Sequence, residues 1–212
     1  MVQRTFLSFT LVCLLILAGN TPASASSSVA HQTLETAVNK ILAVVMNPAY
    51  PDPQQRLVLN KTIEAEVRTI FDFQEFSMRT VGPAWRSFTP DQQQRFSTAF
   101  ADLLIYTYLG KVDKYNGEKI VYTGDKSDSA AQRVEIQTLL TLKDSKPIPV
   151  AYRMLPKNGS WFVYDVLVEG ISLVKNYRTQ FQDILSKNSV DQLIQRVDEK
   201  AQDMRERSNV QK

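Results

Sequence analysis

Asp165, Glu169, Ser172 and Arg178 stand within one stretch, WFVYDVLVEGISLVKNYR, where polar side chains are set among apolar ones. Two carboxylates at this spacing invite an acid–base reading. On a strand, residues four apart point to the same face but lie about 13 Å apart along the chain. That is too far to share one proton or to flank one bond directly. The better reading is that each carboxylate accepts hydrogen bonds or meets an arginine, with Arg153 and Arg178 at hand. Ser172 and Lys175 do satisfy a Ser-x-x-Lys spacing, but nothing else of the enzymes that pattern marks is present. No Gly-x-Ser-x-Gly elbow is present either. A helix-start role for Ser172, with Gly170 giving a sharp exit from the strand, explains the same residues without chemistry. No catalytic residue is assigned.

Other reactive side chains are scarce. The only histidine, His31, leaves a histidine-based metal cluster or a serine triad almost nothing to work with. The only cysteine, Cys13, lies in a leader-like segment, so no disulfide, thiol catalysis or thiolate metal site is expected in the working protein. No metal and no cofactor are expected. Asn158-Gly159-Ser160 matches a sugar-acceptor pattern but reads more simply as a turn.

The leader is residues 1–25: Arg4 supplies the charge, residues 6–18 an apolar run, and Ala23-Ser24-Ala25 a small-x-small cleavage site. The run falls short of the roughly 20 residues a membrane span needs. Val12 before Cys13 is not the small residue that lipoprotein cleavage wants. An exported protein without disulfides must rely on its core, and the remaining length suffices for one domain, expected over 26–198 with a charged, fraying tail at 199–212. The net charge of the whole chain, +3, is small and its charges are interspersed, which gives no footprint for nucleic acid.

Elements follow from hydrophobic spacing. Leu34, Val38, Ile41, Leu42 and Val45 recur at helical spacing, as do Leu59, Ile63, Val67 and Ile70 beyond the Pro51-Asp52-Pro53 break. Thr89-Pro90-Asp91-Gln92 is a capping-box start for a long helix that is apolar nearly all round in its second half. From Glu118 the period becomes two, through Arg133-Val134-Glu135-Ile136-Gln137, then Ile148 to Met154, then the Asn158-Gly159 turn and Trp161 to Val168. Four strands with short turns predict an antiparallel meander. Val174, Tyr177, Phe181, Ile184 and Leu185 then mark a helix, and Ser189 with Gln192 can cap a last one. The order is helices, four strands, helices, an α+β fold.

Tyr106, Tyr108, Tyr115, Tyr122, Tyr152, Trp161, Phe162 and Tyr164 concentrate in the sheet and the helix before it. The last strand is apolar on both faces. Ordinary core and the lining of an interior pocket account for this equally well.

Read in order, Phe71-Asp72-Phe73, Val81-Gly82-Pro83-Ala84-Trp85-Arg86, Thr89-Pro90-Asp91-Gln92, Leu103-Leu104-Ile105-Tyr106-Thr107-Tyr108 and Trp161-Phe162-Val163-Tyr164-Asp165 form a distinctive series. It ends in Glu169-Gly170-Ile171-Ser172-Leu173-Val174 and Asn176-Tyr177-Arg178. The series resembles the MlaC family, also called the toluene-tolerance family, of periplasmic phospholipid-binding proteins. Val81 stands where that family usually has Leu, a conservative departure.

The resemblance implies a curved four-stranded antiparallel sheet wrapped by N- and C-terminal helices, similar to NTF2-like folds, enclosing an apolar cavity for acyl chains. It implies a periplasmic carrier with phospholipid as cargo, in a Gram-negative bacterium, maintaining outer-membrane lipid asymmetry. The implied partners are an outer-membrane lipoprotein complex and an inner-membrane ABC transporter with an MCE-domain protein. On this reading the cavity candidates are Phe100, Leu103, Leu104, Tyr108, Val134, Ile136, Leu140, Val150, Tyr152, Val163, Tyr164, Val166 and Ile171. Gly170 and Ser172, at a helix start, are the candidates to hold the lipid head group. Two rival readings use the same fold. One is a cavity enzyme of isomerase or dehydratase type built on Asp165 with Tyr164 or Tyr152. The other is a periplasmic adaptor with a filled core and no lipid.

Overall fold

The computed structural model describes residues 23–112, 117–128, 132–141 and 146–210. The expected leader therefore lies outside the described residues, save for 23–25, which open the first helix.

Helix boundaries follow local chemistry. Helix α1 (Ala23–Val45) stops before Asn47-Pro48, where the Asn47 side chain accepts from the Ala49 amide. Asp52 caps α2 (Pro53–Ile70) by accepting from Gln54 and Gln55, and Asp72 caps α3 (Phe73–Val81) by accepting from Glu75. Gly82, at φ 70°, ends α3 and leads into a 3₁₀ turn, Gly82–Ser87. The capping box of α4 (Pro90–Val112) is reciprocal: the Thr89 amide donates to Gln92 Oε1 at 3.0 Å and the Gln92 amide to Thr89 Oγ1 at 3.2 Å. Ser189 and Gln192 repeat that exchange at the start of α6 (Val190–Val210).

The sheet is a continuous antiparallel meander in the order β1 (Lys119–Asp128), β2 (Arg133–Thr141), β3 (Ile148–Lys157), β4 (Ser160–Val168), β5 (Ile171–Ser172). It has five strands where the sequence predicts four. The fifth is two residues long, paired to Leu167 and Val168, and runs directly into α5 (Leu173–Leu185). Two residues cannot show a period-two pattern, and the turn before them, Glu169 at φ 52° and Gly170 at φ 80°, places a glutamate in a conformation that usually takes Asn or Gly. The same backbone at Asn158 (φ 52°) and Gly159 (φ 78°) makes the β3–β4 turn that the sequence announces.

An irregularity in the β3–β4 register matters more. Arg153 pairs with Asp165, but the next pair is Met154 with Val163, so Tyr164 is an extra residue on β4. Such a bulge breaks the alternation. Trp161, Val163 and Val166 thereby share one face with Val134, Ile136 and Met154, packed beneath Ala30, Leu34 and Ala37 of α1. A second, helical cluster gathers Phe76, Trp85, Phe96, Phe100, Phe181 and Leu193 from α3 to α6. Phe71 and Leu173 touch both clusters. A third small cluster, Val45, Tyr50, Ile63 and Leu109, ties α1 and α2 to α4.

The chain beyond Asp198 is helical rather than a fraying tail. The stripe Leu193, Ile194, Val197, Ala201 and Met204 keeps helical spacing and joins the helical cluster, with Ala201 3% exposed. Arg205 adds an ion pair to Asp102 of α4 at 3.0 Å and lies 4.6 Å from the centre of the Tyr106 ring. Residues 211–212 lie outside the described residues.

Candidate functional site

The polar residues that first attract attention form a frame. Asp165 is 3% exposed. Its carboxylate accepts from Ser172 Oγ at 2.7 Å, the Val174 amide at 3.1 Å and Arg153 Nη1 at 3.2 Å. Arg153 also donates to Glu135 at 2.9 Å, so an ion chain crosses three strands. Ser172 caps α5 by accepting from the Lys175 amide at 3.1 Å, which commits both sides of its hydroxyl. Lys175 thus contributes a backbone amide to this serine. Arg178 donates through Nε and Nη2 to the carbonyl of Arg79, at 2.9 and 2.5 Å, closing the C-terminus of α3. Glu169 is exposed in the β4–β5 turn and is not gathered with Asp165.

These contacts alter the expected head-group site. The first turn of α5 has its free amides taken by Asp165 and Ser172, and a buried carboxylate already occupies the place an anion would need. Gly170 is exposed in the turn, with φ 80° as its structural requirement. Ile171 is 64% exposed and faces no interior. Tyr164, displaced by the bulge, lies under Arg79, whose guanidinium carbon is 4.3 Å from the ring centre. The Tyr152–Asp165 pairing of the enzyme reading is not assembled. Tyr152 pairs with Val166 on the apolar face, and Asp165 pairs with Arg153 on the other.

The remaining candidates divide into buried core and a half-buried shell. Phe100 is fully buried, with ring contacts to Phe76, Phe96, Tyr177 and Phe181. Leu103 and Leu104 belong to the same cluster and Tyr108 packs partly buried against it. Val134, Ile136 and Val163 are 3%, 0% and 0% exposed, solid core under α1. Val166 lies at the edge of that core, at 9%. Leu140 is half-buried, at the end of β2 where it pairs with Ile148.

Around this packed centre runs a ring of half-buried side chains: Val38, Phe71, Tyr122, Val150, Tyr152, Val168 and Leu173. They come from α1, the end of α2, β1, β3, β4 and the start of α5. Val150 and Tyr152 are anticipated by the sequence. Val38, Phe71, Val168 and Leu173 are missed, although their spacing marks them as apolar-face residues; Tyr122 is noticed only as an aromatic. Burial along the sheet is graded: Met154, Trp161 and Val163 are sealed at one end, and Val150, Val168 and Leu140 remain partly accessible at the other. Burial pushes the hydroxyls of Tyr122 and Tyr152 up to about 12. The Tyr122 hydroxyl is buried with no hydrogen-bond partner, and Tyr152 has none among the described residues. Uncharged aromatic hydroxyls and hydrocarbon are what this surface offers.

Two cavities, of about 460 and 360 Å³, open elsewhere on the molecule, the smaller meeting the ring at Phe71. The larger includes Arg79, Arg133, Arg153 and Arg178, and the smaller Arg68, Gln74, Ser97 and Lys157. The larger sets its charged groups beside Val134, Tyr164 and Val174, and the smaller mixes polar groups with Phe71, Phe73, Phe162 and Ala101; both are open, so neither is the enclosed apolar hollow expected from the sequence. Among the described residues there is no cluster of metal-ligating side chains and no helix long and apolar enough to cross a membrane.

Against known proteins, residues 35–199 match the MlaC protein family. The chain belongs to the MlaC family. Its relatives include the toluene tolerance protein ttg2D of Pseudomonas putida, 32% identical over 50% of this chain and 49% of that protein, so the match spans about half of it. The intermembrane phospholipid transport system binding protein MlaC of Haemophilus influenzae is 20% identical over 93% of this chain and 92% of its own. Among solved structures, the phospholipid-binding protein from Ralstonia solanacearum, in complex with a phospholipid, superposes with a TM-score of 0.72. It is 26% identical, over 83% of this chain and 98% of that one.

Proposed function

We propose that this MlaC-family chain is a phospholipid carrier, not an enzyme, and that the ring of Val38, Phe71, Tyr122, Val150, Tyr152, Val168 and Leu173 is where acyl chains enter. The observation that carries this reading is the ring itself: apolar and aromatic side chains from six elements, packed against the sheet core yet only partly buried. The phospholipid bound to the Ralstonia solanacearum relative supports it.

Solvation explains why a carrier is needed. Each buried methylene is worth about 0.8 kcal/mol, so two acyl chains are prohibitively costly to leave in water. Side chains already half free can turn aside for hydrocarbon at small cost, whereas Phe100, Ile136 and Val163 cannot without opening the core. Loading on this account opens the end of the sheet near Val150 and Val168 and leaves the sealed end at Trp161 intact. In this proposal the protein works in the periplasm after removal of residues 1–25. It passes lipid between an outer-membrane lipoprotein complex and an inner-membrane ABC transporter carrying an MCE-domain protein. Release then requires docking, because unassisted exit would expose the tails.

The test is native mass spectrometry of the mature protein purified from a Gram-negative host, beside a Val150→Glu variant. Wild type should carry phospholipid masses. The variant, which sets a carboxylate where hydrocarbon must lie, should be mostly empty with an unchanged circular dichroism spectrum. Apo protein alone from several wild-type preparations would overturn the proposal.

A further inference from the structure

The larger cavity lies apart from the apolar ring, on the polar side of the sheet beside α3 and the start of α5, and its charges are unbalanced. Six cations line it: Arg79, Lys126, Arg133, Arg153, Lys175 and Arg178. Its acids are Asp128, Glu135 and Asp165. Glu135 and Asp165 are engaged by Arg153, with Lys126 a further 3.9 Å from Glu135. Arg79 is paired with Glu75 outside the cavity lining. Arg178 has spent two donors on a carbonyl, which satisfies hydrogen bonds without cancelling charge. Arg133 makes no ion pair with a carboxylate among the described residues, although Asp128, also on the cavity lining, stands opposite it in the β1–β2 register. It stands 6.0 Å from the centre of the Tyr164 ring, and Arg79 lies 4.3 Å from it. The Arg79 Nε–H is buried with no acceptor, a group that leaves free energy unrecovered until an acceptor arrives.

We propose that this cavity is a phosphate-binding site, distinct from the acyl-chain ring, in which Arg133 and Arg178 hold the anion against the Tyr164 ring and Arg79 supplies a further donor. Guanidinium groups suit phosphate because their planar donors can meet two oxygens at once. The ion chain Glu135–Arg153–Asp165 forms a wall that carries one net negative charge, offset by Lys126 beside Glu135. A volume of about 460 Å³ admits a phosphate with a small substituent. The anion can arrive free or as the head group of a phospholipid, and the chemistry at the site is the same. The site does not depend on the carrier reading, so each can fail alone.

The experiment uses mature protein stripped of lipid and titrated with inorganic phosphate, followed by amide shifts in heteronuclear NMR. Saturable shifts are expected at Arg79, Arg133 and Tyr164. Arg133→Glu, at an exposed position with no hydrogen bond to lose, should keep the fold and weaken the titration by roughly tenfold or more. Repeating the titration on protein loaded with a short-chain phosphatidylglycerol separates the sources. If loading blocks phosphate and Arg133→Glu lowers lipid occupancy, the head group of the cargo is the ligand. If phosphate still titrates with lipid bound, the site takes a free phosphate. Absence of saturable shifts, or equal affinity in Arg133→Glu, would overturn the proposal.

Discussion

Replacing Asp165 by Ala tests whether this carboxylate is frame rather than chemistry. The side chain is almost fully buried and accepts three hydrogen bonds, from Ser172, Val174 and Arg153. Its removal leaves the Ser172 hydroxyl and the Val174 amide without an acceptor, at about 1–3 kcal/mol each. Arg153 is one-third exposed and keeps Glu135, so its share is small and screened. The sum is about 2–6 kcal/mol, a large part of the roughly 5–15 kcal/mol that holds a domain folded. Asp165→Asn keeps the shape and one acceptor and should cost about half as much. Urea denaturation followed by circular dichroism and by the fluorescence of Trp85 and Trp161 gives both values. Ser172→Ala should cost about 1 kcal/mol as a lost cap, and the double variant less than the sum of the two, because they share one bond. A loss below about 1 kcal/mol in Asp165→Ala would refute the frame, since a buried carboxylate with three donors cannot be removed that cheaply.

Alkaline pH probes the ring. With the hydroxyls of Tyr122 and Tyr152 pushed up to about 12 by burial, the unfolded chain ionises first. Their contribution is complete below about pH 10 and is lost as pH rises toward 12, at about 1.4 kcal/mol per pH unit for each tyrosine. Tyr152→Phe should flatten that slope in urea melts between those limits, and a loss of tyrosinate absorbance near pH 10 on that substitution, in still-folded protein, would contradict it. Truncation after Asp198 removes Ala201, Met204 and the Arg205–Asp102 pair, and should cost at least about 2 kcal/mol in the same melts. A truncated chain as stable as the full one would restore the loose-tail expectation.

What the sequence determined by itself is local. Thr89 with Gln92, Ser189 with Gln192, Asn158-Gly159 and the helical stripes name their own structures, because a cap or a turn is a contact between residues a few positions apart. The α+β order and the family could also be read from it. The face on which a strand residue lies could not. One extra residue at Tyr164 sends that side chain under Arg79 and brings Val163 and Val166 to the same side, a parity fixed by how β3 pairs with β4. The division between core and ring was likewise decided by tertiary structure. Phe100 and Tyr152 are both large side chains on apolar faces, yet one is closed in by four aromatic rings and the other keeps part of its surface free. Composition says that a side chain avoids water; only the arrival of neighbours from distant parts of the chain says whether protein or cargo will cover it.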